Sequence, residues 1–183
     1  MGRKTGLSQI SDFSKVRKSA VALNLFYDKS WKSILIQRPI YNGHHSGQVC
    51  FPGGSSEPQD KELLQTALRE CEEETGIRKD QFQLLGKLTP VYIPVSNFIV
   101  KPFVFLLDEP PTFYPDQREV DEILIFDIVK ELKNIEIHYT DVMIATQSKL
   151  SNVPFFPIQS KVVWGATALI LGEMREVLKR INA

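Results

Sequence analysis

A cluster of glutamates is the part of this sequence best suited to chemistry. The segment Arg69-Glu-Cys-Glu-Glu-Glu-Thr-Gly76 holds four carboxylates within five positions. On a helix, Glu70, Glu73 and Glu74 would lie within an arc of about 100° and share one face. Like charges at this spacing repel one another by roughly a few tenths of a kcal/mol per pair. Hard cations such as Mg²⁺ or Mn²⁺ prefer oxygen ligands and would offset the repulsion, whereas the alternative is a solvated acidic surface.

The element that must position these glutamates is a helix, predicted over 61–75. Asp60 is a candidate N-cap and Gly76 a candidate C-terminal cap. An apolar stripe at i, i+3, i+4 and i+7 consists of Leu64, Ala67, Leu68 and Cys71. Arg69 can reach Glu73 at i+4 and steady its carboxylate. The helix should therefore bury one side and leave its acidic face available for chemistry.

A segment rich in Gly, Pro, His and Ser precedes the helix, over 38–56. Apart from the short apolar piece Val49-Cys-Phe51, it is predicted to be mostly loop. Gly53 and Gly54 would let the backbone approach a ligand closely. Because such loops often carry ligands, the loop and the acidic helix together predict a catalytic site.

The remaining apolar runs predict five strands and two further helices. The strands are predicted over 20–26, 33–37, 82–85, 98–107 and 122–128, and the helices over 127–132 and 166–181. The first two strands should form a hairpin. The order of strands, helix, strands and helix predicts an α/β fold in which a mixed sheet packs between helices.

Composition limits the functional classes. With 183 residues, the chain is predicted to hold a polar basic lead-in over 1–18 and a single domain over 19–183. Lys plus Arg number 22 and Asp plus Glu number 22, so no overall field attracts nucleic acid or an anionic membrane. We therefore expect a small-molecule substrate, without a nucleic-acid or membrane partner.

Cysteine usage favours a reducing compartment. Cys50 and Cys71 lack the spacing of metal ligands and are too few for a disulfide framework. No segment resembles the core of a signal peptide, and no apolar run approaches the roughly 18 residues of a membrane span. A cytoplasmic protein is expected.

The glycine pair and the acidic segment together resemble the Nudix box, Gly-x5-Glu-x7-Arg-Glu-U-x-Glu-Glu-x-Gly-U, where U is apolar. The back half, from Arg69 to Ile77, agrees at every fixed position. The front half departs from the pattern, because Lys61 stands where the first glutamate belongs and Gly54 lies one residue too far upstream. Asp60 or Glu57 could fill the missing acidic role.

That resemblance implies a Nudix α/β/α sandwich and metal-dependent hydrolysis of a phosphoanhydride bond. It assigns Glu70, Glu73 and Glu74 as ligands of Mg²⁺ or Mn²⁺ and Arg69 as the residue that orients them. The general base would be Glu73 or Glu119, with Glu122 as the next candidate. The family resemblance also favours a homodimer.

The loop resembles the additional signature of the coenzyme A diphosphatase branch. The positions that keep its register are Arg38, His45, Gly47, Val49 and 51–54. The sequence departs from it at Gly43, where that branch has arginine. The resemblance implies cleavage of coenzyme A or acyl-coenzyme A to 3′,5′-ADP and phosphopantetheine or its acylated form.

Substrate contacts follow from the same resemblance and from side-chain chemistry. Arg38 is a candidate for holding a substrate phosphate, and Tyr92 or Phe98 for stacking on or walling the adenine. The other candidate binding residues are His45, Gly53 and Gly54. Alternative substrates are ADP-ribose, dinucleoside polyphosphates and oxidised nucleotides. An alternative of another class is a non-catalytic Nudix-fold regulator that binds a nucleotide.

Overall fold

A computed structural model of the chain describes residues 7–10, 12–41, 45–143 and 149–181. Gly43 lies outside the described residues. The strands are β1 (Arg17–Asp28), β2 (Ser30–Gln37), β3 (Val49–Cys50), β4 (Gly53–Ser55), β5 (Phe82–Lys87), β6 (Val91–Ile93), β7 (Phe98–Leu107), β8 (Glu122–Asp127), β9 (His138–Met143), β10 (Lys149–Ile158) and β11 (Lys161–Trp164). The helices are α1 (Leu63–Thr75), α2 (Ile128–Asn134) and α3 (Gly165–Ile181).

Strand β1 lies at the centre of the main sheet. It forms a hairpin with β2, pairs in parallel with β7 and pairs antiparallel with the short strand β4. The sheet runs β3-β2-β1-β7-β5, with β8 also on β2 and β6 also on β7. One parallel pair among antiparallel neighbours makes this the mixed sheet predicted from the sequence. A separate three-stranded sheet has the order β11-β10-β9.

The two faces of β1 pack against different helices, because successive side chains of a strand point to opposite faces. Ala20 and Ala22 pack against Ala67 and Cys71 of α1. On the other face, Leu23 joins a larger core with the buried residues of α3. Helices therefore cover both faces of the sheet, as the α/β/α prediction requires.

Helix α1 ends where predicted but begins later. Gly76 has a φ of +77°, and its N–H donates to the carbonyl of Glu72, which closes the last turn. The predicted N-cap was wrong: Glu62 occupies that position and makes no side-chain capping bond. Asp60 lies outside the first turn, because its carboxylate instead binds the side chains of Arg69 and Thr66.

The strand predicted over 98–107 formed with those boundaries, the other predicted elements formed with shifted boundaries, and some strands were missed. The first strand starts at Arg17 instead of residue 20, and α2 starts after Asp127, which accepts a capping bond from the Lys130 N–H. The segment predicted to be mostly loop contains β3 and β4, and β9 to β11 had not been predicted at all. Across the described ranges, no helix combines the length and apolarity that crossing a membrane would require.

Candidate active site

Arg69 forms ion pairs with several carboxylates of the acidic site. Its guanidinium lies 3.1 Å from the Glu70 carboxylate and donates to Glu73 at 2.9 Å and to the Ser55 carbonyl at 3.0 Å. It also makes two bonds to Asp60, at 3.0 and 3.2 Å. The predicted contact of Arg69 with Glu73 is therefore present, within a wider network. One side chain thus fixes α1 to the segment that precedes it.

Asp60, one of the two acidic residues considered for the front of the motif, is bound to Arg69. Besides its bonds to Arg69, it accepts from the Thr66 hydroxyl at 2.9 Å and from the Glu57 N–H at 3.0 Å. Hydrogen bonding from Arg69 lowers the pKa of Asp60 to about 2. Glu57 is only a distant partner, 3.9 Å from Arg69. Asp60 therefore secures Arg69.

Glu74 is the most deeply buried carboxylate of the site, with a side chain that is 0% exposed. One oxygen accepts from Arg38 at 2.8 Å, and the other accepts from the Gly53 N–H at 2.7 Å. Arg38 also donates to the Gly53 carbonyl at 3.1 Å. Burial nevertheless raises the pKa of Glu74 to about 8. Arg38, predicted to hold a substrate phosphate, thus contacts a carboxylate here.

The two glycines of β4 are required by close packing. A Cβ on Gly53, whose φ is +150°, would lie 2.3 Å from the Ala20 carbonyl oxygen. A Cβ on Gly54 would lie 2.4 Å from the Glu70 carboxyl group. Neither position has room for a side chain. The Glu70 carboxylate can lie against the backbone of β4 only because Gly54 has no side chain.

The other candidate carboxylates differ in their surroundings. Glu70 is 13% exposed, and burial is the main reason that its pKa is raised. The charge of Glu119, which lies on an exposed turn before β8, raises the pKa of both Glu70 and Glu74. Glu73 is 57% exposed. Glu122 is paired with Lys161 at 2.7 Å. The charges of Glu73 and Glu119 thus act on Glu70, and those of Glu70 and Glu119 act on Glu74.

These carboxylates fit a cation site that substrate completes. In the described part of the chain, no three His, Cys, Asp or Glu side chains are already arranged to hold a metal ion. Mg²⁺ usually binds through one or two protein carboxylates together with substrate phosphates and water, so it needs no complete protein cage. Glu70 and Glu74 are carboxylates of that kind, and their raised pKa values mark negative charge that a cation would stabilise.

A cavity of about 730 Å³ lies beside the acidic site. Five predicted site residues line it: Arg38, His45, Gly53, Gly54 and Phe98. Tyr92 is not among the lining residues, and its hydroxyl donates to the Asn97 side chain at 2.9 Å. His45 has a φ of +67° and lies 3.0 Å from the Gln48 amide. The predicted loop and one of the two predicted aromatic residues thus meet at one cavity.

Most of the remaining cavity wall is apolar. Apart from Phe98, its residues were not predicted from the sequence. One wall, here called the β6–β7 wall, contains Ile93, Val95, Phe98 and Val100. A second group of lining residues, here called the distal wall, contains Ile40, Tyr41, Met143, Leu150 and Trp164. These residues come from segments far apart in the chain. No local pattern distinguishes them from ordinary core or surface residues.

Comparison with known proteins identifies relatives of this chain. A family model described as NUDIX domain matches residues 16–142. The uncharacterized Nudix hydrolase NudL of Photorhabdus laumondii is 32% identical over 160 residues, which cover 87% of this chain and 84% of the relative. A protein of the same name from Yersinia enterocolitica is 32% identical over 149 residues, covering 81% and 73%.

Solved structures share the fold. A Nudix hydrolase from M. Smegmatis, RenU, superposes with a TM-score of 0.62 at 16% identity, covering 90% of this chain and 87% of that one. The NUDIX domain of Shewanella oneidensis NrtR, complexed with ADP ribose, gives a TM-score of 0.53 at 18% identity, covering 73% and 88%. These similarities confirm the predicted fold.

We predict that Gly54→Ala removes activity without unfolding the protein. The new methyl group would displace the Glu70 carboxyl group, which is the flexible end of a side chain. Unfolding free energy should change by about 1 kcal/mol or less, while turnover should fall by roughly 100-fold, since small misplacements of reacting groups are costly. Gly86→Ala is the control, because nothing lies within 4 Å of its added Cβ. Equal turnover in both variants would contradict the packing argument.

We predict that Asp60→Asn destabilises the fold by about 1.5–3 kcal/mol, the range for hydrogen bonds to charged groups. Urea denaturation measures the difference, with Glu57→Gln as the control that should have little effect. Arg69 lowers the pKa of Asp60 from 3.8 to about 2, so its stabilisation is present above the unfolded pKa and is lost as pH falls through about 2. A cost no larger than that of the control would refute the role of Asp60.

Proposed function

This chain belongs to the Nudix family and is a pyrophosphohydrolase, and we propose that it hydrolyses coenzyme A or acyl-coenzyme A. The products would be 3′,5′-ADP and phosphopantetheine or its acylated form. One observation carries the proposal: the residues of the coenzyme A diphosphatase signature, Arg38, His45 and the glycines Gly53 and Gly54, line one cavity beside the acidic site.

The lining of the cavity supports a substrate with two unlike halves joined by a diphosphate. The β6–β7 wall, the glycine strand β4, Arg38 and the distal wall all line this one cavity. Phe98 offers the β6–β7 wall an aromatic surface for a nucleotide base. In the distal wall, Ile40 and Met143 are exposed apolar side chains that would contact an acylated pantetheine arm.

Glu70, Glu73 and Glu74 are the residues that would hold Mg²⁺ or Mn²⁺, and Glu70 and Glu74 are the more buried of the three. A divalent cation at this place would neutralise charge on the diphosphate and lower the pKa of a bound water molecule. Arg69 holds Glu70 and Glu73 in place, as their contacts show. Arg38 borders the cavity and would donate to a substrate phosphate once it leaves Glu74.

For the general base we favour Glu119 over Glu73. Glu119 is exposed, and its charge acts on both Glu70 and Glu74. Glu73, by contrast, already accepts a hydrogen bond from Arg69. Glu122 is bound by Lys161 and is the weaker candidate. An exposed carboxylate whose charge acts on Glu70 and Glu74 would be able to take a proton from the attacking water.

ADP-ribose is the second candidate substrate. Gly43 brings no cation to the loop, which favours a substrate with fewer phosphates. The NUDIX domain of NrtR, which shares this fold, binds ADP ribose. A purely regulatory nucleotide-binding role is disfavoured, since all the box glutamates from Glu70 to Glu74 are intact.

The cysteines bear on the cellular location of the protein, and the family resemblance bears on its assembly. Cys50 and Cys71 are both free thiols in the structure, which fits the reducing cytoplasm we propose. A homodimer is proposed only from the family resemblance. Light scattering of the purified protein tests it directly.

The proposed substrate is tested by cleavage of a panel containing coenzyme A, an acyl-coenzyme A, ADP-ribose, NADH, diadenosine polyphosphates and oxidised nucleotides, with Mg²⁺ or Mn²⁺. We expect release of 3′,5′-ADP from the coenzyme A substrates at the highest kcat/KM. Added EDTA should abolish cleavage. Preferential hydrolysis of another compound would overturn the proposed substrate and leave the family assignment unchanged.

We predict that Mg²⁺ affinity increases with pH and levels off above about pH 8. The pKa of Glu74 is raised to about 8, so below that pH the metal-free protein holds a proton that the cation must displace. Calorimetry should show up to about a tenfold gain in affinity per pH unit below this value. Glu72→Gln, which alters an exposed partner of Lys79, is the control and should keep the same profile. A flat profile in the unaltered protein would refute the prediction.

A further inference from the structure

A cation lies on the cavity face of the main sheet, at the first residue of β1. Ser19 and Val21 line the cavity, and Arg17 is two residues before Ser19 on the same strand. Because side chains alternate along a strand, Arg17 shares the face of Ser19 and Val21. Lys18 faces the opposite side, where Ala20 packs against α1. The alternation therefore directs Arg17 towards the cavity and Lys18 away from it.

An aromatic ring of the β6–β7 wall positions Arg17. Its guanidinium lies 4.2 Å from the centre of the Phe98 ring, and Phe98 is its partner on the neighbouring strand β7. The backbone N–H of Arg17 also donates to the Asn97 carbonyl at 2.9 Å. A cation–π contact holds the guanidinium without occupying its N–H donors. Those donors stay available for a ligand.

Arg17 also differs from the other two arginines of the site in its partners. Arg38 is bound to Glu74 and Arg69 to Asp60. Among residues 7–10, 12–41, 45–143 and 149–181, no carboxylate lies within 4.0 Å of the Arg17 guanidinium and no hydrogen-bond acceptor is paired with it. An arginine fork of this kind matches the oxygens of a phosphate group.

We propose that Arg17 binds a phosphate monoester on the nucleotide half of the substrate, while Phe98 walls the base. This inference rests on the proposed function. Val21 pairs with Gly53, next to the acidic site, and lies four residues from Arg17, roughly 13 Å along the strand. A nucleotide whose diphosphate lies at Gly53 would direct its ribose towards Arg17. The residue would therefore distinguish a 3′-phosphorylated nucleotide from an unphosphorylated one.

The test compares coenzyme A with dephospho-coenzyme A, which differ only in the 3′-phosphate. For Arg17→Ala we expect kcat/KM for coenzyme A to fall about tenfold or more, through KM, while the value for dephospho-coenzyme A stays unchanged. Arg17→Lys should recover part of the loss. Lys18→Ala, which removes the neighbouring charge on the other face, should match the unaltered protein.

Binding of the product nucleotides separates this inference from the proposed function. Calorimetry with 3′,5′-ADP and 5′-AMP, which differ only in the 3′-phosphate, requires no turnover, and Arg17→Ala should weaken only the binding of 3′,5′-ADP. If neither coenzyme A substrate is cleaved, the proposed function fails while this measurement still decides the role of Arg17. Equal losses for both nucleotides would show a packing role through Phe98, and no loss for either would show no role; both outcomes overturn the inference.

Discussion

The burial of the Glu74 carboxylate is the constraint on which the rest of the site depends. An unpaired charge in a protein interior costs several kcal/mol, so its partners must be supplied by the fold. Arg38, at the end of β2, and the N–H of Gly53, in β4, satisfy its two oxygens. Three segments distant in sequence are thereby joined. The pKa of about 8 shows that these partners offset the burial only in part, which leaves a site where a cation would be stabilising.

Strand β4 brings the buried carboxylates next to the cavity. Because Gly54 has no side chain, the Glu70 carboxylate lies against the backbone of β4, and the strand also lines the cavity. Gly53 donates its N–H to Glu74 and accepts from Arg38 through its carbonyl. The strand therefore borders both the carboxylates and the cavity. A diphosphate lying across it would contact both.

Local features of this molecule were readable from the sequence, and long-range ones were not. The acidic face of α1 follows from the helical period, and the end of α1 at Gly76 follows from the left-handed backbone that glycine allows. Both features involve only residues that are close in the sequence. The pairing of Arg38 with Glu74 spans 36 positions and has no local signal. The prediction of Asp60 as the N-cap was wrong because the local sequence does not show that its carboxylate binds Arg69 and Thr66. In β10, Pro154 and Pro157 interrupt the pattern expected of a strand, which explains why that sheet was missed.

The acidic site is tightly fixed, whereas part of the cavity wall is exposed. This difference would let one fold accept different diphosphates. The acidic residues are tied together by burial and by Arg69, so changing one disturbs the others. The wall residues Ile40, Val95 and Met143 carry no such constraint, since they are exposed and contribute little to the core. Substitution there should alter contacts with the substrate while leaving the stability of the fold nearly unchanged.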